Sequence, residues 1–151
     1  QTQRYYYERI GVGGRMDTLQ CAILLAKFTI FENELKARRK IAEFYDRNFD
    51  ELGIKRVQLR SEVESTYAQY SIFLENRDRI VDFCRDKGVP IAIHYPSSLG
   101  DQPAYRSFAK SNDLKNTKLI ATQVLSIPMS AYIKKEETLK VVDVIKQAIV
   151  P

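Results

Sequence analysis

The sequence of 151 residues contains no tryptophan, one histidine and two cysteines. One histidine and two widely separated cysteines lack the ligand spacing of a metal site, so a metalloenzyme is not expected. Proline is absent before Pro90, so nothing in the first half of the chain obstructs a long helix. The longest unbroken apolar run, residues 21–26, is too short to cross a bilayer. Phosphate-loop, dinucleotide-binding and G-x-S-x-G hydrolase sequences are also missing.

The composition is that of a globular protein with one domain. Hydrophobic residues make up 44% and charged residues 28% of the chain, which excludes disordered and collagen-like classes. The net charge of +5 is a mild excess, short of what a nucleic-acid-binding surface requires. Cys21 and Cys84 lie within apolar helical patterns, so we predict buried free thiols in a reducing compartment, with a disulfide as the alternative. The chain starts at Gln1 without a cap or turn, and we expect it to be a piece of a longer protein.

The first third of the chain predicts one long helix. Residues 1–16 have no regular pattern, and we expect them to be extended or irregular. Asp17 and Gln20 have the spacing of a capping box, and apolar residues then recur at helical intervals as far as Leu52, where Gly53 ends the pattern. We expect a bend or break near residues 32–34, and a first part that reaches beyond the core of the domain.

The remaining residues alternate between short strands and helices. We predict a loop at 97–102 and a helix that starts at Asn76 as its cap and is closed by Gly88. The final helix should turn Leu139, Val142, Ile145 and Ile149 inward. The predicted strands cover residues 54–59, 66–74, 89–95 and 126–129. Two further predicted helices cover 104–110 and 117–125, and the final helix covers 135–149. The fold class is therefore α+β, a small mostly antiparallel sheet covered by helices, with a leading segment at 1–16, a connecting helix at 17–52 and a small domain at 53–151.

Three features have residue types that suit a binding site. Closely spaced glycines, Gly13 among them, precede Arg15 and a helix start, which suits an anion; the alternative is a tight turn with a solvated arginine. His94 and Tyr95 precede a proline at a predicted strand end, where functional residues often emerge; the alternative is a structural or surface histidine. Tyrosines at 5–7 beside two arginines suit a subunit interface better than a nucleic acid.

These features together resemble the DegT/StrS-type sugar aminotransferases. Residues 5–27 are similar to the segment that follows the cofactor lysine in that family. The similarity to the small C-terminal domain and to its closing motif continues in order, over residues 67–72, 88–96, 102–105 and 122–129. The resemblance implies the C-terminal portion of a fold-type I enzyme of the cytoplasm that works as a homodimer through the long helix and the leading segment.

The resemblance also implies a reaction. Pyridoxal 5'-phosphate would be the cofactor, and an amino group would pass from L-glutamate to a UDP-linked keto-sugar, a 3-keto-N-acetylhexosaminuronate of bacterial surface polysaccharide synthesis. The Schiff-base lysine would lie upstream, so the chain alone is expected to be inactive, with no catalytic residue of its own. Arg15, His94 and Tyr95 match positions that bind substrate, while Gly13 stands where the family usually has Asn and leaves only a backbone contact to the cofactor.

Two other functions remain open on the sequence. One is a regulatory or protein-interaction domain without catalysis, because members of the family have also been labelled regulators. The second is a nucleic-acid-binding module, suggested by the net charge and the Arg- and Tyr-rich start. We expect neither a nucleic acid nor a membrane to be a partner.

Overall fold

The fold is that of a computed structural model, which describes residues 3–108 and 114–149. It consists of α-helices packed on a small antiparallel sheet, which confirms the predicted α+β class. The α-helices are α1 (Thr18–Glu51), α2 (Arg77–Asp86), α3 (Lys115–Gln123) and α4 (Lys135–Ile149). The strands are β1 (Lys55–Arg56), β2 (Tyr70–Phe73) and β3 (Val124–Ile127), and two 3₁₀ helices cover Leu99–Asp101 and Pro103–Phe108.

Helix α1 begins as the capping pattern predicts. The Gln20 N–H donates to Asp17 Oδ1 at 2.8 Å, and the Asp17 N–H donates to Gln20 Oε1 at 3.2 Å. The helix then runs without interruption through residues 32–34, so the predicted break is absent. Its 34 residues give a length of about 51 Å. Gly53 follows with a φ of 65°, a left-handed conformation that costs glycine little and ends the helix.

The two halves of α1 have different surroundings. Its buried residues are Ala42, Tyr45 and Phe49, all in the C-terminal half, where the helix packs on α4. The N-terminal half carries an apolar face that the described residues leave exposed, at Leu19, Ile23, Leu24, Leu25, Phe28, Ile30 and Phe31. That half therefore extends beyond the core, because no described element covers it.

The sheet has the order β1-β2-β3, with both pairs antiparallel. In the central pair Tyr70 lies opposite Ile127 and Ser71 opposite Ser126. Strands β1 and β2 are shorter than predicted, and β3 is displaced by two residues: it starts at Val124, within the segment predicted to be helical. The predicted strand at 89–95 is wrong: only Ala92 pairs there, with Ser126. The flanking prolines explain this, since Pro90 has no N–H to donate and Pro96 closes the segment.

The core lies between the sheet, α2, α4 and the C-terminal half of α1. Its largest fully buried side chains are Tyr45, Phe49, Ile72, Leu125, Ile145, Val89 and Cys84. Two local predictions were wrong. Leu139 is 41% exposed, while Val141 and Val144 of α4 are buried in its place. Asn76 is the residue before α2, as predicted, but it has a left-handed conformation and its side chain makes no capping hydrogen bond.

Both cysteines are free thiols in the structure. Cys84 is buried in the core, as predicted, and this burial raises the pKa of its thiol. Cys21 lies on the unpacked half of α1 and is partly exposed, so its predicted burial does not hold within the described residues.

Candidate functional site

His94 is held by the edge of the sheet. The backbone of Ala92 exchanges two hydrogen bonds with Ser126 of β3, at 3.0 and 2.7 Å, and fixes the approach of the segment. Two residues later, His94 Nδ1 lies 3.1 Å from the Ser126 hydroxyl, so Ala92 and His94 contact the same residue of β3. Ser126 Oγ in turn lies 3.1 Å from Ser71 Oγ on β2.

Tyr95 presents its ring next to the histidine. The ring is 60% exposed and packs edge-to-face against His94, with centroids 5.5 Å apart. Its other neighbour is Tyr5 of the leading segment, also edge-to-face, at 5.8 Å. An exposed aromatic ring held between two others offers a rigid apolar and hydrogen-bonding surface to a ligand.

Two clefts adjoin this pair. One is a cavity of about 400 Å³ with aromatic walls, lined by Tyr5, Tyr7, Tyr95, Ser97, Leu99 and Gln102. The second, of about 250 Å³, is lined by His94 together with residues of the sheet edge and of the turn after β3, among them Gln69, Ser126 and Met129. His94 and Tyr95 thus lie side by side but face different clefts, which suits contact with a ligand larger than a single ring.

Gln102 joins the leading segment to the small domain, a role that the sequence did not predict. Its side chain is only 6% exposed. Gln102 Oε1 accepts from the Tyr7 N–H at 3.0 Å, while Nε2 donates to the Tyr5 carbonyl at 3.0 Å and to Ser97 Oγ at 2.8 Å. The Ala104 N–H adds a bond to the Tyr7 carbonyl at 3.0 Å. These contacts hold Tyr5 against Tyr95; the family-like motif at 102–105 was the available signal.

Arg15 and Gly13 are not part of this constellation. Both are exposed on the arm between the tyrosines and α1, and Arg15 has no hydrogen-bond or ion-pair partner among the described residues. A Cβ placed on Gly13 would meet no atom within 4 Å. The structure therefore brings His94, Tyr95 and the tyrosine segment together and leaves Arg15 and Gly13 accessible to another chain or segment.

The lysines do not form a cofactor pocket. Eleven of the twelve lysines lie in the part of the chain that the structure describes, and all eleven are exposed. None of them lines either cleft beside His94 and Tyr95. A Schiff base to pyridoxal phosphate needs a lysine within an enclosed site, where desolvation or a nearby cation lowers the amine pKa. These residues therefore do not fit a covalently held cofactor by themselves.

Metal and membrane features are absent from the described residues. No cluster of three or more histidine, cysteine, aspartate or glutamate side chains occurs at 3–108 or 114–149 that could hold a metal ion. Among the described helices, none combines the length and apolar character needed to span a bilayer.

A separate polar cluster supports the helix-to-sheet packing. The Tyr70 hydroxyl donates to Asp46 Oδ1 at 2.6 Å, and Arg56 forms ion pairs with Asp46 at 3.2 Å and Asp50 at 2.8 Å. Burial raises the pKa of the Tyr70 phenol above its ordinary value, and the hydrogen bond to Asp46 raises this pKa further. Burial likewise raises the pKa of Tyr45, whose hydroxyl donates to the Pro128 carbonyl at 3.0 Å. Both phenols are therefore held neutral within the fold.

Comparison with known proteins adds the family context. The model of the DegT/DnrJ/EryC1/StrS aminotransferase family matches residues 1–146. A Pseudomonas aeruginosa protein named UDP-2-acetamido-2-deoxy-3-oxo-D-glucuronate aminotransferase is 41% identical over 133 residues, which cover 88% of this chain and 36% of that protein. A Geobacillus stearothermophilus protein named pleiotropic regulatory protein is 32% identical, over 95% of this chain and 40% of its own.

A solved structure matches the fold as well. The crystal structure of a DegT DnrJ EryC1 StrS aminotransferase from Brucella abortus superposes with a TM-score of 0.82 at 34% identity. It covers 96% of this chain and 39% of its own. The chain thus spans well under half the length of the proteins it matches.

Proposed function

The chain belongs to the DegT/DnrJ/EryC1/StrS aminotransferase family, and on that premise we propose that it is the C-terminal portion of a sugar-nucleotide aminotransferase. The amino group passes from L-glutamate to a UDP-linked 3-keto-N-acetylhexosaminuronate, for bacterial surface polysaccharide. The proposed substrate rests on the 41% identity between this chain and the Pseudomonas aeruginosa protein named UDP-2-acetamido-2-deoxy-3-oxo-D-glucuronate aminotransferase. In this proposal residues 1–16 derive from a preceding large domain, 17–52 connect the two, and 53–151 form the small domain.

The family depends on pyridoxal phosphate, and the cofactor supplies the amino-carrying and electron-accepting chemistry when it is bound. All the described lysines are exposed, which supports a Schiff-base lysine located in the part of the relatives that this chain does not cover. The whole site is therefore composite, and this chain contributes substrate-binding groups, not the group that moves the proton.

Each candidate residue has a role that its chemistry allows. Arg15, exposed on the arm, offers a bidentate fork to the uronate carboxylate or to the cofactor phosphate in the active site of a neighbouring subunit. Gly13 beside it contributes at most a backbone N–H to that phosphate. His94 donates a hydrogen bond to the sugar nucleotide. The exposed ring of Tyr95, which lies edge-to-face on His94, packs against the same ligand.

A homodimer follows from the same proposal. The exposed apolar face between Leu19 and Phe31 is too extended to remain in water without a partner. In the complete protein this face would be buried by the preceding domain and by the second subunit, which also receives Arg15. The isolated chain should therefore self-associate through this face, and sedimentation should show concentration-dependent oligomers. A strictly monomeric chain at high concentration would contradict this part of the proposal.

A chimera tests the enzymatic function directly. The segment of the Pseudomonas aeruginosa enzyme that matches this chain is replaced by residues 1–151, and transfer from L-glutamate to the UDP-linked 3-keto uronate is measured. We expect the chimera to be active, and His94→Ala or Tyr95→Ala to raise KM for the sugar nucleotide at least about tenfold, since each removes one binding contact. Tyr132→Phe, an exposed tyrosine outside both clefts, is the matched control.

The isolated chain provides the complementary test. Mixed with pyridoxal phosphate and treated with borohydride, it should retain no stoichiometric label, because exposed and solvated lysines form only labile adducts. A single lysine labelled in full yield would show that the chain has its own cofactor site, and the composite-site proposal would then be wrong.

A further inference from the structure

Ser126 contacts His94 through a hydrogen bond and not only through packing. It is a polar residue in a nearly all-apolar strand, and its side chain is 5% exposed. Its backbone N–H and carbonyl both bond to Ala92. A buried hydroxyl at such a position requires partners, and Ser126 Oγ has two, His94 Nδ1 and Ser71 Oγ, each at 3.1 Å.

The sheet register explains why the two serines meet. Ser71 and Ser126 are opposite each other in the antiparallel β2–β3 pair. Because the backbone groups of Ser126 point to Ala92 on its other side, the serines form a non-hydrogen-bonded pair, in which side chains approach most closely. The three side chains therefore form a continuous chain of hydrogen bonds from β2, through β3, to the imidazole.

The order of the protons along this chain follows from the partners available. If Ser71 donates to Ser126, then Ser126 donates to His94 Nδ1, and both hydroxyl protons lie within the chain. In the reverse order the Ser71 proton has no partner among the described residues and needs a solvent acceptor, which the half-buried position of Ser71 allows, so the first order is favoured because it satisfies both protons within the protein. The first order leaves Nδ1 as an acceptor and places the proton of the neutral ring on Nε2.

We infer that Ser126, backed by Ser71, is a positioning residue that holds His94 as an Nε2–H donor for an oxygen atom of an anionic ligand group. The ligand part rests on the proposed function, whereas the orientation and proton position of the ring do not. The same device is familiar where a hydrogen bond to one ring nitrogen sets the role of the other. The shared ligand chemistry is an oxyanion, either the uronate carboxylate or the diphosphate of the sugar nucleotide.

Because His94 is the only histidine, a protein labelled with ¹⁵N-histidine gives one imidazole spectrum. At about pH 9, where a free imidazole carries one proton, the full chain should show Nε2 protonated and Nδ1 bare. Ser126→Ala should shift the ratio of the two tautomers about fivefold towards that of free histidine, the effect of one ordinary hydrogen bond. Ser71→Ala should have a smaller effect in the same direction.

Ser98→Ala is the matched control, since Ser98 is also buried but bonds to Asp101. It should leave the spectrum unchanged. The backbone pairing of Ser126 with Ala92 does not use the side chain, so Ser126→Ala should stay folded, which amide spectra verify. A wild-type ring protonated on Nδ1, or a folded Ser126→Ala chain with the wild-type tautomer ratio, would overturn the inference.

Ligand titration of the active chimera separates this inference from the proposed function. UDP-glucuronate carries both anionic groups, UDP-N-acetylglucosamine only the diphosphate, and glucuronate only the carboxylate. The imidazole signals that are lost in the His94→Ala chimera belong to His94, and the probes that move them identify the group it contacts. UDP-glucuronate could leave the His94 signals unchanged while Ser126→Ala still shifts the tautomer ratio. In that case the substrate role of His94 is wrong, but the positioning of its ring by Ser126 is retained. If the ligand moves the ring equally in wild type and Ser126→Ala, the positioning role is wrong.

Discussion

Replacement of Gln102 by alanine should release the leading tyrosine segment while the small domain stays folded. The variant loses three side-chain hydrogen bonds, to the Tyr7 N–H, the Tyr5 carbonyl and Ser97 Oγ. Two of these bonds reach the segment, and at about 1 kcal/mol net for each its docking weakens by about 2 kcal/mol. That corresponds to a roughly 30-fold larger undocked population. Global stability should change little, because no residue of the segment belongs to the core.

Hydrogen exchange of the Tyr7 amide measures this directly, since its acceptor is the side-chain oxygen Oε1 of Gln102. Gln102→Glu keeps an acceptor for Tyr7 but loses the donor to Tyr5, so its exchange should lie between wild type and Gln102→Ala. Gln58→Ala, at an exposed glutamine, is the control and should leave the rate unchanged. A Tyr7 amide that exchanges within about twofold of the wild-type rate in folded Gln102→Ala would refute the docking role of Gln102, because the loss of even one hydrogen bond should change the rate by more than twofold.

Three further predictions concern stability and turnover. The raised pKa of the Tyr70 phenol means that its contribution to folding stability is full below the ordinary tyrosine pKa of about 10 and is lost as the pH rises above it, because the unfolded chain ionises first; thermal unfolding between pH 8 and 11 measures this, and Tyr70→Phe should reduce the alkaline loss. Leu125→Ala in the core should lower the free energy of unfolding by about 2–5 kcal/mol, against less than about 0.5 kcal/mol for Leu119→Ala at a 56% exposed site, as denaturant melts would show. In the complete dimer, Arg15→Ala should impair turnover of the sugar more than the half-reaction with glutamate, and equal losses in single-turnover kinetics would assign Arg15 to the cofactor or to folding.

Local signals in the sequence predicted the helices best. The capping box at Asp17 and the left-handed Gly53 are contained within a few residues, so both ends of α1 could be read directly. The range of α4 was also correct, although its inward face was misjudged at Leu139. Strands were harder, because pairing partners are distant in the chain: Val124 and Leu125 continue a helical pattern and are strand residues only because β2 lies alongside.

The candidate site was likewise predicted only in part from the sequence. His94 and Tyr95 were identified by residue type and by resemblance, and the structure places them together. Gln102 and Ser126 were not identified, since a glutamine or serine has no local signature of function. Their contacts join positions 95 and 32 residues apart, and such contacts exist only after the chain has folded.

The sequence by itself determined the family, the long capped helix and the residue types at the candidate site, because these depend on local order along the chain. Tertiary structure alone decided which side of the imidazole is anchored, how the tyrosine segment docks on Tyr95, and that the lysines among the described residues are exposed. The physical reason is that burial and hydrogen-bond partners of a side chain are set by its neighbours in space, and the sheet edge brings Ser71, Ser126 and His94 into line from three separate segments.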